Sequence, residues 1–433
     1  MAEYKKKSPK KRNIKHSTRP VTRKPVKDRN DDIVMRPMTK KPHTEHPKKH
    51  TNKKTEGDGL RVLMGTKLLK QKKRLIVASV FVVILLSLVI FSASTPTGPF
   101  EFLQNKILSL GNGSYPATIS GSELLNAFSA DSLTYTLTDT HAEIYNKSGK
   151  QLFSRQHEFN SPSISVSSQR ALIYDRGGKQ LYVYNHTDVV HEITLENEIY
   201  CAAIGRNGTF AVATKSVGYT SQVTVFNKNA KTKFIWYSSD ELVNGIAVSN
   251  NGRRIAVSTI NVGGGQYKSK VYVFKFSSAE PIFSLEYDDV IYSLNTVSSS
   301  RFVVVTDASV DFVKWSKGER LQVENKYSLN VFRQRMGGIS AVVTGNNSSN
   351  NISVLNKKGK QLASFDFDGA VSDISVYNKT IFVLSDCYLF AFDFEGKQLS
   401  PMKNLSSYDR IFAIDKKNVV AAGNFGLNKI SIE

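Results

Sequence analysis

The sequence predicts an all-β fold, a β-propeller of eight blades, preceded by one transmembrane helix and a disordered basic tail. Three observations carry this expectation. Short strand-like runs fill the chain past residue 130, one turn phrase returns at a regular spacing, and an uncharged apolar stretch follows a cluster of cations. They divide the chain into a basic tail (1–73), a membrane segment (74–94), a linker (95–110) and a propeller domain (111–433).

The 433 residues are 40% hydrophobic and 22% charged, which is ordinary for a globular protein, but the net charge of +22 is unevenly spread. Met1 to Arg74 holds 25 Lys or Arg against 7 Asp or Glu, whereas the remainder holds 34 against 30. The basicity therefore describes a tail and not a folded surface. Its prolines (Pro9, Pro20, Pro25, Pro37, Pro42, Pro47) and scarce aliphatic residues cannot bury enough apolar surface to offset the entropy of ordering. Such a tail fits an anionic lipid surface, which gains about 1 kcal/mol per nearby cation. Nucleic acid is a poor fit, because the stretch lacks interleaved aromatic rings to stack on bases.

From Leu75 to Phe91 no residue is charged, and Ser92 to Ser94 extend the run. Twenty residues at about 1.5 Å each match the ~30 Å core of a bilayer. Lys70, Lys72, Lys73 and Arg74 precede the run, while the next Lys is Lys106. The positive-inside rule then puts the N-terminus in the cytoplasm and everything after Ser94 outside, at the cell membrane. The apolar run exceeds that of a cleaved signal peptide. Ser79 and Ser87 alone do not make the polar face of a buried core helix.

Beyond the membrane segment, Val, Ile, Phe, Tyr and Thr recur in short runs broken by Asn, Gly, Ser and Asp. That is the composition of strands and hairpins. Asn146-Lys-Ser-Gly149-Lys-Gln-Leu152 returns as Asn356-Lys-Lys-Gly359-Lys-Gln-Leu362 and as Asp393-Phe-Glu-Gly396-Lys-Gln-Leu399. Gly359 and Gly396 are 37 residues apart, and Gly149 precedes Gly359 by 210, or five steps of 42. The Asn-Gly turns at Asn207-Gly208 and Asn251-Gly252 are 44 apart. Asn and Gly accept the positive φ of tight hairpins, and a repeat near 40 residues holds the four strands of a propeller blade. Units fall at about 121–159, 160–197, 198–239, 240–287, 288–327, 328–368 and 369–406. The remainder, 407–433, carries only three strand-like runs. Tyr115-Pro-Ala-Thr-Ile119 can supply the fourth by pairing near Asn428 to Ile432, which removes two open edges. The count is eight blades, or seven if one unit is misread.

Gln156-His157-Glu-Phe-Asn-Ser-Pro162, followed by Arg170-Ala-Leu-Ile-Tyr-Asp175-Arg-Gly177-Gly178, resembles an uncharacterised bacterial family of membrane-anchored propellers related in fold to quinoprotein and WD40-type repeats. Phe210-Ala-Val-Ala-Thr214, Gly218-Tyr219 and Gly113-Ser-Tyr-Pro116 extend the resemblance over about residues 110–433. It implies architecture and location, with no assigned activity.

Chemistry is sparse. No Gly-x-Ser-x-Gly, His-Glu-x-x-His, phosphate loop or Cys-x-x-Cys occurs. The tryptophan docking repeat of quinoproteins is missing, with Trp236 and Trp315 the only tryptophans, so no cofactor is expected. Asp366-Phe-Asp368-Gly369 lacks the further oxygen ligands of a calcium loop, and no metal is expected there. Cys201 and Cys387 sit in apolar runs and are expected to be buried and unpaired. The most pointed turn is Asp175, Arg176, Gly177 and Gly178, read as a candidate rim contact to a ligand. The expectation is a binding or scaffolding module in the cell envelope, not an enzyme, holding a protein or an envelope polymer. A propeller enzyme acting on envelope glycans or peptides, or a signalling protein using the basic tail, are the alternatives.

Overall fold

The computed structural model describes residues 72–73, 75–90, 98, 103, 106–107 and 110–432, apart from 264–265 and 336–337. The basic tail before residue 72 lies outside the described residues. Residues 75–90 are helical with exposed side chains, and the end of the apolar run, 91–94, lies outside the described residues. No helix among the described residues is long and apolar enough to cross a membrane.

The rest is strand. Blade 1 comprises β1 (Leu124–Ala130), β2 (Leu133–Thr138), β3 (His141–Tyr145) and β4 (Gln151–Gln156); blade 2, β5 (Pro162–Val166), β6 (Ala171–Asp175), β7 (Gln180–Tyr184) and β8 (Val189–Thr194). Blade 3 comprises β9 (Ile199–Ile204), β10 (Phe210–Thr214), β11 (Ser221–Phe226) and β12 (Thr232–Ser238); blade 4, β13 (Leu242–Val248), β14 (Arg254–Gly263), β15 (Gln266–Lys275) and β16 (Phe283–Tyr287). Blade 5 holds β17 (Ser293–Thr296), β18 (Arg301–Val305), β19 (Ser309–Lys314) and β20 (Arg320–Glu324); blade 6, β21 (Leu329–Arg335), β22 (Ile339–Gly345), β23 (Ser349–Leu355) and β24 (Gln361–Asp368). Blade 7 holds β25 (Asp373–Tyr377), β26 (Thr380–Ser385), β27 (Tyr388–Phe392) and β28 (Lys403–Asn404), and blade 8 ends the chain with β29 (Arg410–Ala413), β30 (Asn418–Gly423) and β31 (Gly426–Ser431). Each blade is an antiparallel meander in sequence order, four-stranded except the last. The blade boundaries expected from the turns hold throughout.

Burial explains the strand compositions. The second strand of a blade is covered by both neighbouring blades, so β6, β10 and β26 are buried at every position and read as continuous apolar runs. The outer strands β4 and β24 alternate, because one face meets water. Eight apolar clusters form, one between each pair of neighbouring blades. Eight interfaces in a closed ring settle the count at eight blades.

The eighth interface depends on the N-terminal lead-in. Ala117 and Leu427 exchange both backbone hydrogen bonds at 2.8 Å, an antiparallel bridge one residue before the expected register. Tyr115, Ala117 and Ile119 pack beside Tyr145, Val420, Ala422 and Leu427. Gly426, at φ +133°, leaves room for the Ala117 carbonyl that a Cβ there would meet at 2.2 Å. The buried Glu143 carboxylate accepts from Ser120 N (3.2 Å), Gln151 Nε2 (2.9 Å) and Ser154 Oγ (3.1 Å). The Tyr145 hydroxyl lies 2.7 Å from the Thr118 carbonyl and 2.8 Å from Glu143. Blade 1 thereby grips the closing segment on its way past.

The first strands line the ring's inside, and among the described residues no ladder pairs the first strand of one blade with that of the next. Side chains bridge the gaps instead. Ser165 Oγ accepts from Ile204 N (3.2 Å), Thr296 Oγ1 donates to Val248 O (2.7 Å) and Gln334 Nε2 donates to Thr296 O (3.0 Å). Arg333 Nε donates to the buried Asp373 at 2.6 Å, whose other oxygen accepts from Ile411 N at 2.9 Å. These polar residues satisfy backbone groups that an open first strand would leave unpaired.

Candidate functional site: two rims of opposite charge

Because each of the first seven blades has four strands, every blade starts from the same rim. Turns between second and third strands and the connections between blades lie on one rim; turns between first and second and between third and fourth strands lie on the other. The interstrand residues of the first rim carry 4 Lys or Arg against 11 Asp or Glu, those of the second 15 against 7. A domain that is nearly neutral in composition is therefore acidic at one end and basic at the other.

The repeated phrase produces the basic rim. In the turns at Asn146, Asn356 and Asp393, the side-chain oxygen accepts backbone N–H groups two and four residues on, and the glycine before the final Lys takes φ +83°, +87° and +80°. Asn227-Lys-Asn-Ala230-Lys231 makes the same turn in blade 3, with Ala230 at φ +57°. Sequence comparison missed that copy because Ala replaces Gly. Each turn ends in an exposed lysine: Lys150, Lys231, Lys360 and Lys397.

The acidic rim carries exposed rings. Tyr219, Tyr267, Tyr292 and Tyr327 are 47–60% exposed, and Val217 is 90% exposed. They fall in blades 3 to 5 and the connection to blade 6, beside Asp240, Asp288 and Asp289. Tyr219 packs on Tyr237 with ring centroids 4.8 Å apart. In the same sector β14 and β15 run ten residues each, paired out to Gly263 and Gln266, so this hairpin projects past the others. Lys270 ties the hairpin to its neighbours through Glu241 (3.4 Å) and Glu286 (3.5 Å). Tyr272 and Glu241 hold the Lys270 ammonium above its usual range. A polar cleft of about 420 Å³ opens between blades 5 and 6, lined by Glu324, Lys326, Asn351, Ser353, Ser364 and Asp366, next to Tyr327.

The turn singled out in the sequence lies on this acidic rim, and its groups join blade 2 to blade 3. Asp175 is buried and accepts from Ser161 N at 2.8 Å. Gly177 N donates to Ile199 O, Ile199 N donates to Gly178 O, and Arg176 Nε donates to Tyr200 O. Gly178 is required because a Cβ would sit 2.1 Å from the Asp175 carboxylate. Arg176 and Gly177 remain exposed. The histidines of the propeller are dispersed. His141 contacts Thr140 Oγ1 (3.0 Å), His157 the Thr138 carbonyl (3.2 Å) and His191 the Lys228 carbonyl (2.9 Å). Burial holds the His157 imidazole below its usual range. Asp366 and Asp368 lie within β24, and Asp366 pairs with Lys326 at 3.0 Å. Cys201 is buried, which pushes its thiol up to about 12. Cys387 corrects the expectation of burial: it is exposed, because Asp386 and Cys387 form a two-residue hairpin, both at positive φ, that interrupts the apolar run.

A family model matches residues 117–431. The chain belongs to DUF5711, a family of unknown function. No curated protein matches this DUF5711 chain. Among solved structures it is similar to Sqt1 from Saccharomyces cerevisiae, at 11% identity and TM-score 0.51, covering 75% of this chain and 100% of that one. It also matches BamB from Moraxella catarrhalis, at 12% identity and TM-score 0.47, covering 72% and 98%. At such identity the likeness to Sqt1 shows the fold of this DUF5711 member and nothing of its activity.

Proposed function

We propose that this DUF5711 protein is a single-pass, membrane-anchored binding module whose propeller lies outside the cytoplasm and uses its acidic, tyrosine-bearing rim to hold a basic segment of a protein partner. The observation that carries the reading is the pairing of exposed Tyr219, Tyr267, Tyr292 and Tyr327 with a surplus of carboxylates on one rim. Tyrosines concentrate binding energy at protein interfaces, and the carboxylates steer a cationic partner while repelling polyanionic envelope polymers. Arg176, exposed beside Gly177 and Gly178, lies on the same rim and would contact the partner's edge.

Anchoring is supported by the helical run 75–90, whose Leu, Ile, Val and Phe side chains are 41–69% exposed, and by the cations that precede it. Exposed apolar side chains all around a helix suit hydrocarbon better than water.

The test is a photo-cross-linking residue placed at Tyr292 in cells, compared with one at Ser316 on the opposite rim. The reading predicts a discrete protein adduct from Tyr292 that disappears when Asp288 and Asp289 are changed to Lys. Adducts that are the same from both rims, or indifferent to the charge reversal, would contradict it.

A further inference from the structure

We propose that the basic rim lies against the anionic headgroups of the bilayer holding the 74–94 segment, so that the acidic rim is presented away from the membrane. The inference rests on the anchoring read above.

Three independent features point to it. The first is charge built into the repeat. Turns of one kind in blades 1, 3, 6 and 7 place Lys150, Lys231, Lys360 and Lys397 on the same end, and Lys357 and Lys358 add to them. A ring of exposed lysines on one flat face neutralises a planar array of phosphates better than it does a single small anion.

The second is where the chain arrives. The Gly111 carbonyl accepts from Asn146 Nδ2 (3.1 Å) and Ser148 Oγ (2.9 Å), and Gly113 N donates to Ser148 Oγ (3.0 Å). The lead-in therefore docks on a turn of the basic rim. Sixteen linker residues, 95–110, reach at most about 55 Å when fully extended, so they hold that rim within a propeller's width of the anchor.

The third is the kind of apolar surface exposed among the lysines. At the basic rim it is aliphatic: Ile282, Leu321, Leu362, Leu399 and Met402 are 40–55% exposed. Aliphatic side chains between lysines, whose stems can lie along them, form the composition of an interfacial surface. On the acidic rim the exposed residues are mostly rings, so the two ends differ in chemistry as well as in charge.

The experiment uses the full chain reconstituted in vesicles. A fluorophore is attached either to the natural Cys387 on the acidic rim or, in a C387S background, to S316C on the basic rim. Quenching by a headgroup-tethered quencher is then read for both positions. In vesicles containing phosphatidylglycerol the label at position 316 should be quenched at least threefold more than that at Cys387. The difference should vanish in phosphatidylcholine alone, and in the K357E/K358E/K360E variant, whose exposed substitutions leave the fold intact by circular dichroism. Equal quenching at both positions with phosphatidylglycerol present overturns the proposal. So does a basic rim that binds heparin in solution while phosphatidylglycerol vesicles leave it unquenched, which would assign it to a soluble polyanion. Alkaline carbonate washing reads the anchor separately. Protein released by the wash removes the anchor and the proposal together; protein retained with equal quenching removes the docking alone.

Discussion

Glu143 stands 1% exposed in the wall between blades 8 and 1 and accepts from Ser120, Gln151 and Ser154. The carboxylate itself is buried, and its replacement removes the acceptor that ties Ser120 N of the closing segment to Gln151 and Ser154 of β4. Glu143→Ala should therefore lower stability by about 3 kcal/mol, whereas Glu143→Gln, which keeps one acceptor oxygen, should cost about half as much. Urea melts of the two variants check the order; equal losses would mean that packing, not hydrogen bonding, holds the closing segment. Asp311 is a different kind of buried acid. Its carboxyl accepts from Ser309 (2.9 Å) and Tyr287 (3.1 Å), with Arg320 at 3.6 Å, yet burial raises it above the usual carboxylate range. A raised folded value means that its stability contribution is full below the unfolded value, near 4, and is lost as pH rises through the folded one. Relative to wild type, Asp311→Asn should gain stability between pH 4 and pH 7; a difference that does not change with pH would contradict the assignment. At this scale the sequence is least legible. Arg176, Gly177 and Gly178 make a pointed turn because they join blade 2 to Ile199 and Tyr200 of blade 3, while Asp175 holds Ser161 N, and neither partner is near in sequence.

Strands and turns were far more legible, because hairpin chemistry is local. Asn146, Asn356 and Asp393 cap their own turns, so the phrase can be recognised without knowing the fold. The second strands were less legible, since continuous burial such as that of β26 comes from blades on both sides. The closing segment is legible through the fourth strand that 407–433 lacks. Because its bridge to Leu427 completes the ring, removing it should weaken the whole domain and not one blade. A propeller beginning at Gly121 should melt roughly 5–10 °C below one beginning at Gly111, in a single transition. Equal midpoints in thermal melts would show that blade 8 is stable with three strands. Within the proposed binding rim, Tyr292→Ala should weaken partner capture about tenfold with no change in melting temperature, as expected for an exposed ring at an interface.

For the molecule as a whole, the ring of eight interfaces separates two ends of opposite bias: lysines and aliphatic side chains prevail at one, carboxylates and tyrosines at the other. That polarity was not legible in the sequence, where the folded part holds nearly equal numbers of cations and anions. It emerges only when alternate turns are sorted to opposite rims. It is also what the proposed function draws on, an anchored module that would meet the membrane with one end and a partner with the other. The proposed arrangement requires the acidic rim to be outside the cell, and Cys387 tests this directly. The thiol is exposed in the β26–β27 turn of that rim, while Cys201 is buried and serves as an internal control. Intact cells treated with a membrane-impermeant maleimide should label Cys387 to the same extent as permeabilised cells, and the C387S variant should take up none. Labelling that appears only after permeabilisation would place the propeller in the cytoplasm and contradict the account.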